Sequence, residues 1–217
     1  MKGLLRKEWY LLKRHCRTYL VIAAVFLAMS AVNMTAGGGN MFLTFYPSIL
    51  AGIIPGTLLA YDEQSRWNVY SDTLACTRAQ VVSAKYLVGL GLEAAMMLLC
   101  AAVSAVRMSR SGAVFGGELL FLQVGLMALI ALLVPAVTLP LMLRFGVEKG
   151  RIFFFVTVAA TCAVSVGLSN TLLGDAPNSL QLPPNAVLIA ALAILLGLIL
   201  YGLSWLISIR LYQKREL

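Results

Sequence analysis

Residues 186–209 read AVLIAALAILLGLILYGLSWLISI, 24 positions without a charged side chain, and they run directly into the basic segment Arg210 to Arg215. A helix needs about 20 apolar residues to cross the hydrocarbon of a bilayer. Five more runs of that kind precede this one, at about 18–36, 41–61, 82–106, 119–143 and 152–173. The pattern predicts an all-α membrane protein with six transmembrane helices in a single transmembrane domain, 1–217. Composition agrees, at 60% hydrophobic and 12% charged residues with a mean hydropathy of +0.88. A soluble domain of 217 residues has too little interior to hide that much apolar surface. What remains between the spans is too short for a soluble catalytic domain.

The connections assign the two sides. Of 17 Lys and Arg residues, only Arg107 and Arg110 fall on the proposed outer loops, which leaves 15 on the other side. The positive-inside rule then puts both termini in the cytosol, with the chain in the cell membrane. The net charge of +8 sits beside spans, where it sets topology and meets anionic lipid headgroups; nucleic acid is not the expected partner. Cys16, Cys76, Cys100 and Cys162 form no C-x-x-C pair, and His15 is the single histidine. Neither a disulfide framework nor a metal site is expected.

Residues 1–17, MKGLLRKEWYLLKRHCR, precede the first span. Leu5, Trp9, Leu12, Cys16 and Tyr19 recur at helical spacing, with Lys2, Arg6, Lys13, Arg14 and Arg17 on the other faces. This predicts an interfacial amphipathic helix with Trp9 and Tyr10 at headgroup depth. The second span holds Pro47 and Pro55, and the fourth holds Pro135 and Pro140. A proline inside a helix removes one donor and crowds the carbonyl one turn back. In lipid such a defect persists only where neighbours satisfy the freed carbonyl, so the second span is expected inside the bundle, kinked or broken.

Glu93 lies about ten residues into the third span, in LVGLGLEAAMMLL, near the bilayer midplane. An ionised carboxylate there costs several kcal/mol, so it should face the bundle interior or a water-filled cavity, or keep its proton. Two readings stay open. Glu93 belongs to a substrate pathway or coupling route together with Asn33, Pro47 and Pro55, or it makes a helix–helix hydrogen bond to Asn33, Thr57 or Gln123.

Residues 62–81, DEQSRWNVYSDTLACTRAQV, are the longest polar connection. Trp67, Tyr70 and Leu74 fall at i, i+3 and i+7, an apolar stripe on a short helix that reads as a docking face. The absences also inform. There is no G-x-x-x-x-G-K-[ST] run, so this chain has no P-loop nucleotide site, and Gly37 to Gly39 read as a turn. No H-E-x-x-H occurs, and one histidine in a basic leader builds no Ser–His dyad. The chain is not expected to be an enzyme.

The opening Met1 to Trp9, the acidic pair Asp62-Glu63 after the second span, and Leu74-Ala75-Cys76-Thr77-Arg78 followed by Lys85 carry a family likeness. They resemble the permease subunits of type-2 ABC exporters, especially the small six-span kind made without a fused ATPase. Ala75 stands where that family's Leu-Pro-x-Ser/Thr-Arg motif has proline. The resemblance covers the whole chain in organisation. It implies that Asp62, Glu63, Arg66, Trp67, Tyr70, Leu74 and Arg78 couple to a cleft of the ATPase, with a secondary contact at Arg144, Glu148 and Lys149. It also implies two ATP-binding subunits that carry ATP and Mg, no cofactor on this chain, and pairing with a second copy or a paralogue. Among the small members the chain looks most like exporters of phenol-soluble modulins, so an amphipathic peptide or another hydrophobic substrate is the expected cargo. Two other functions fit the same spans: an ion- or proton-coupled secondary carrier using Glu93, and a non-transporting assembly or immunity subunit.

Overall fold

The computed structural model describes residues 2–32, 41–67, 70, 77–110, 117–146, 149–150, 152–153, 155–160, 163 and 185–213. Among them there is no strand. Six helices can be followed end to end: α1 Lys2–His15, α2 Arg17–Val32, α3 Met41–Gln64, α4 Arg78–Arg110, α5 Gly117–Phe145 and α6 Ala186–Gln213. The described residues of the expected fifth span are helical as well. Segments of three helices, Arg78–Val106, Val124–Phe145 and Val187–Gln213, are long and apolar enough to cross a membrane.

Of the three membrane-length helices, α5 is the most enclosed. Sixty-one per cent of its apolar segment is buried, against 22% for α6. The outward side of α6, with Leu192, Leu195, Leu196, Leu203 and Leu206, is more than half exposed at most of these positions. A bilayer accepts such a surface and water does not.

Lipid tails are as apolar as leucine, so membrane helices associate through close packing and hydrogen bonds more than through burial. The α5–α6 seam is built that way. A Cβ added to Gly125 would stand 2.7 Å from Cα of Ala190, and one on Gly197 would stand 3.5 Å from Cα of Leu129. One heptad further, Ser204 Oγ donates to the carbonyl of Ala136 at 2.6 Å. That carbonyl is the one Pro140 leaves without an amide donor. A hydroxyl from α6 therefore repairs the proline defect in α5.

α3 is enclosed, with 47–52, 54–56 and 58–59 all buried. Pro47 and Pro55 lie inside it without ending it, so the break the sequence allows does not occur. Close packing holds the stretch in place: the Pro55 ring sits on Gly89 of α4, where an added Cβ would come within 2.7 Å of Cγ.

The apolar stripe expected on α1 holds at Leu12 and Cys16, which are buried, and in part at Leu5 and Tyr19, but not at Trp9. Leu4, Glu8 and Leu12 are the buried positions, followed by Cys16 at the bend into α2, whereas Trp9 and Tyr10 are exposed at 53% and 63%. The physical reason is that Glu8 finds cations inside the bundle, while an indole and a phenol suit a lipid–water boundary, with an apolar body and a polar tip. Cys16 keeps the helical ladder almost continuous, donating to Leu12 O at 3.0 Å and accepting from Leu20 N at 3.2 Å. Burial, with the nearby Glu8 adding to it, pushes its thiol up to about 11. Only the thiolate attacks a maleimide, and a shift from 9.0 to about 11 lowers the thiolate fraction about a hundredfold. In a variant retaining Cys16 as its only cysteine, maleimide labelling in the folded state should be negligible near neutral pH. It should become complete after denaturation.

Candidate functional site

Four charged side chains meet where the end of α3, the start of α4 and α1 come together. Asp62 comes from the last turns of α3, Lys85 from the third turn of α4, and Lys7 and Glu8 from α1. Lys85 Nζ is paired with Asp62 Oδ2 and lies 3.3 Å from Glu8 Oε1. Lys7 Nζ lies 2.5 Å from Asp62 Oδ1 and 3.3 Å from Glu8 Oε1. The Glu8, Asp62 and Lys85 side chains are 2–4% exposed, and Lys7 is 21% exposed. Two cations and two anions sum to zero, and only such a balanced group can be buried without a prohibitive solvation cost.

The acidic pair read as one motif is thus divided. Asp62 turns inward to the ion-pair joint, while Glu63 points to the turn after α5, where a Cβ on Gly146 would stand 3.7 Å from Glu63 Oε1. Gly146 has φ +84°, the left-handed conformation that favours glycine. Arg66 also adopts positive φ, at 52°, where the chain leaves α3, and its side chain is exposed.

The two described aromatic residues of the stripe have different surroundings. Trp67 packs against Leu4, Val81 and Ala84, and Lys7 Nζ sits 4.2 Å from its ring centroid in a cation–π contact. Tyr70 is 59% exposed, with its ring 5.5 Å from that of Trp67. α1 covers the inward half of the stripe, a long-range contact that local spacing does not reveal. Leu74 lies outside the described residues. Arg78 opens α4 behind a capping box: Gln80 N donates to Thr77 Oγ1 at 3.4 Å, and Thr77 N donates to Gln80 Oε1 at 3.3 Å. Arg144 and Lys149 are exposed at the Gly146 turn, and Glu148 lies outside the described residues.

From the joint, a network of hydroxyl and aromatic groups ties α4 to α6. Tyr86 OH bonds Ser204 Oγ at 2.8 Å and Ser208 Oγ at 2.6 Å, and Tyr201 OH donates to Tyr86 O at 2.8 Å. Trp205 Nε1 donates to Ser83 Oγ at 3.1 Å, with its ring stacked on Tyr86 at 5.9 Å. A satisfied polar network of this kind fixes one packing arrangement. Two turns further along α4, Glu93 is buried between α3 and α5, and neither carboxylate oxygen has a hydrogen-bond partner among the described residues. The expected bond to Thr57 is not made, since that hydroxyl donates to Ile53 O at 3.1 Å. Asn33 and the side chain of Gln123 lie outside the described residues.

Sequence reasoning missed Lys7 and Glu8 as site residues, and it used Lys85 only as a motif marker. One signal was present. Glu8 is the single acidic residue in 1–17, four positions from both Leu4 and Leu12. A lone acid on the apolar face of a basic helix is a buried partner in search of a cation.

The joint ties α1, α3 and α4 together through paired charges, and Tyr70 is exposed beside Trp67. No curated protein is similar enough to count as a relative. The profile of a family described as ABC-2 family transporter protein matches residues 3–213. With nearly the whole chain matched, and with its apolar helices, the protein is a membrane component of transport that belongs to the ABC-2 transporter family.

Proposed function

We propose that the chain is the transmembrane subunit of an ATP-driven exporter, with six spans and both termini cytosolic in the cell membrane. Two copies, or one copy and a paralogue, form the pathway, and each receives one separate ATPase subunit that binds ATP and Mg. The ABC-2 permease family normally works with such a subunit, which supports the reading. The observation that carries it is the joint of Lys7, Glu8, Asp62 and Lys85. A push on the segment after Asp62 reaches α1, α3 and α4 together, because buried charges cannot separate without leaving one unpaired.

Tyr70, exposed beside the joint, is the contact proposed for the ATPase, together with Arg66, Glu63 and Arg78. Arg144 and Lys149 supply a secondary contact. The cargo proposed is an amphipathic peptide or similar hydrophobic substrate, since the connections at 37–40, 107–118 and 174–185 are too short for an outer capture domain. Affinity purification of the full chain from its own membranes should recover an ATP-binding subunit, with vanadate-sensitive ATP hydrolysis. Tyr70→Asp should lower recovery of that subunit at least tenfold while leaving the chain folded. Purification of the chain without any ATPase, together with transport insensitive to vanadate, would exclude the reading in favour of a gradient-driven carrier.

A further inference from the structure

We propose that Glu93 is a resident proton site, in which the carboxylic acid supplies the donor that two proline-freed carbonyls lack. The site is defined by packing. A Cβ on Gly52 of α3 would lie 3.2 Å from Glu93 Oε1, 3.3 Å from Pro135 Cδ and 3.3 Å from Val134 Cγ1. The carboxyl group therefore lies between α3 and the proline-bearing stretch of α5. One turn away, Gly89 meets Pro55. The pairs Gly52–Glu93 and Pro55–Gly89 make α3 and α4 antiparallel, and Ala51 is the residue next to the Gly52 that Glu93 meets.

The two prolines decide the chemistry. Pro55 has no N–H, so the carbonyl of Ala51 four residues earlier loses its helical donor, and Pro135 does the same to the carbonyl of Ala131. Ala51 is 1% exposed and Ala131 is fully buried. Ser204 repairs the carbonyl freed by Pro140, and among the described residues no side-chain hydroxyl is seen to do the same for Ala51 or Ala131. Among the described residues, the neighbourhood thus holds more buried acceptors than donors. An ionised carboxylate offers acceptors alone, whereas the acid offers one donor. Protonation turns the unpartnered Glu93 side chain into the group those carbonyls require. A bound cation would serve the same acceptors, but the oxygen is already within van der Waals reach of Gly52, and a proton needs no further room.

Among the described residues the other titratable groups are engaged elsewhere: on α4, Tyr86 OH bonds Ser204 and Ser208, and Cys100 pairs with Ser48. From α6, Tyr201 donates its hydroxyl to Tyr86 O. From α5, no titratable residue occurs in 121–143, and from α2 none occurs in 20–32. On α3, Asp62 is ten residues beyond Gly52, about 15 Å along the helix, and on α4 Lys85 is about 12 Å from Glu93. Both are held in the joint with Lys7 and Glu8 of α1. The proton site is independent of what powers transport, so it stands or falls separately from the exporter reading.

Infrared spectroscopy of the full chain in lipid nanodiscs tests it. The carbonyl stretch of a protonated carboxylic acid should be present near neutral pH, persist at alkaline pH, and be unchanged when sodium is replaced by choline. It should vanish in Glu93→Gln, whose amide keeps a donor and should keep the fold. If that variant does not fold, labelling the wild-type chain with carbon-13 glutamate should shift the band and assign it to a glutamic acid. Absence of the band near neutral pH, its loss at alkaline pH, or its loss on adding sodium would each overturn the proposal.

Discussion

Lys85→Met should destabilise the protein by about 3–5 kcal/mol, because it leaves Asp62 and Glu8 buried with Lys7 as their only cation. Thermal unfolding of the purified chain in one detergent, compared with wild type, measures the loss. Asp62→Leu should cost a similar amount, since it strands Lys85 beside Glu8. Combining the two should recover much of the stability, as a buried ion pair exchanged for well-packed apolar side chains is often neutral or better. The recovered double variant then separates structure from transmission. It should fold, yet lose ATP-driven activity, because apolar packing can slide where paired charges cannot. A Lys85→Met chain within about 1 kcal/mol of wild type would mean that the joint is exposed to water and worth no more than a surface pair.

Gly125→Leu should be the most damaging change on the α5–α6 seam. A Cβ alone would already sit 2.7 Å from Cα and 2.9 Å from O of Ala190, and backbone atoms have no rotamer by which to withdraw. Overpacking of this sort costs about 1–3 kcal/mol, and the leucine side chain should reach or exceed the upper figure. Gly91→Ala and Gly202→Ala are the controls. Nothing stands within 4 Å of an added Cβ at either position. There the change should be neutral or stabilise by up to about 1 kcal/mol, through the helix preference of alanine. Equal losses at all three positions would show that lost flexibility, not the close approach to Ala190, sets the cost.

The apolar runs were legible because hydrocarbon thickness imposes a length that composition alone displays. The expected span 82–106 lies within α4, which runs on to Arg78–Arg110, because a helix does not end where hydrocarbon does. The α5–α6 seam was legible in principle from Ala190, Gly197 and Ser204, small residues spaced by seven. The face of α1 was not, because hydrophobic periodicity ranks Trp9 above Glu8 and cannot see the lysine 77 positions away that reverses the order. Asp62 and Glu63 looked like one motif for the same reason. Adjacent residues on a helix point about 100° apart, and only the tertiary neighbours say which side each one serves. Pro55 likewise promised a break that Gly89 removes by packing.

Tyr70 is the proposed point where the joint meets a separate ATPase, and proximity at that position is directly measurable. A photoreactive benzoylphenylalanine placed at Tyr70 in the full chain, in its native membrane, should cross-link to an ATP-binding subunit. The same group at Trp9, exposed on the far side of α1, should label lipid. Cross-linking of the ATPase is expected from position 70 and not from position 9. A folded, membrane-inserted chain that yields no ATPase adduct from position 70 would contradict it.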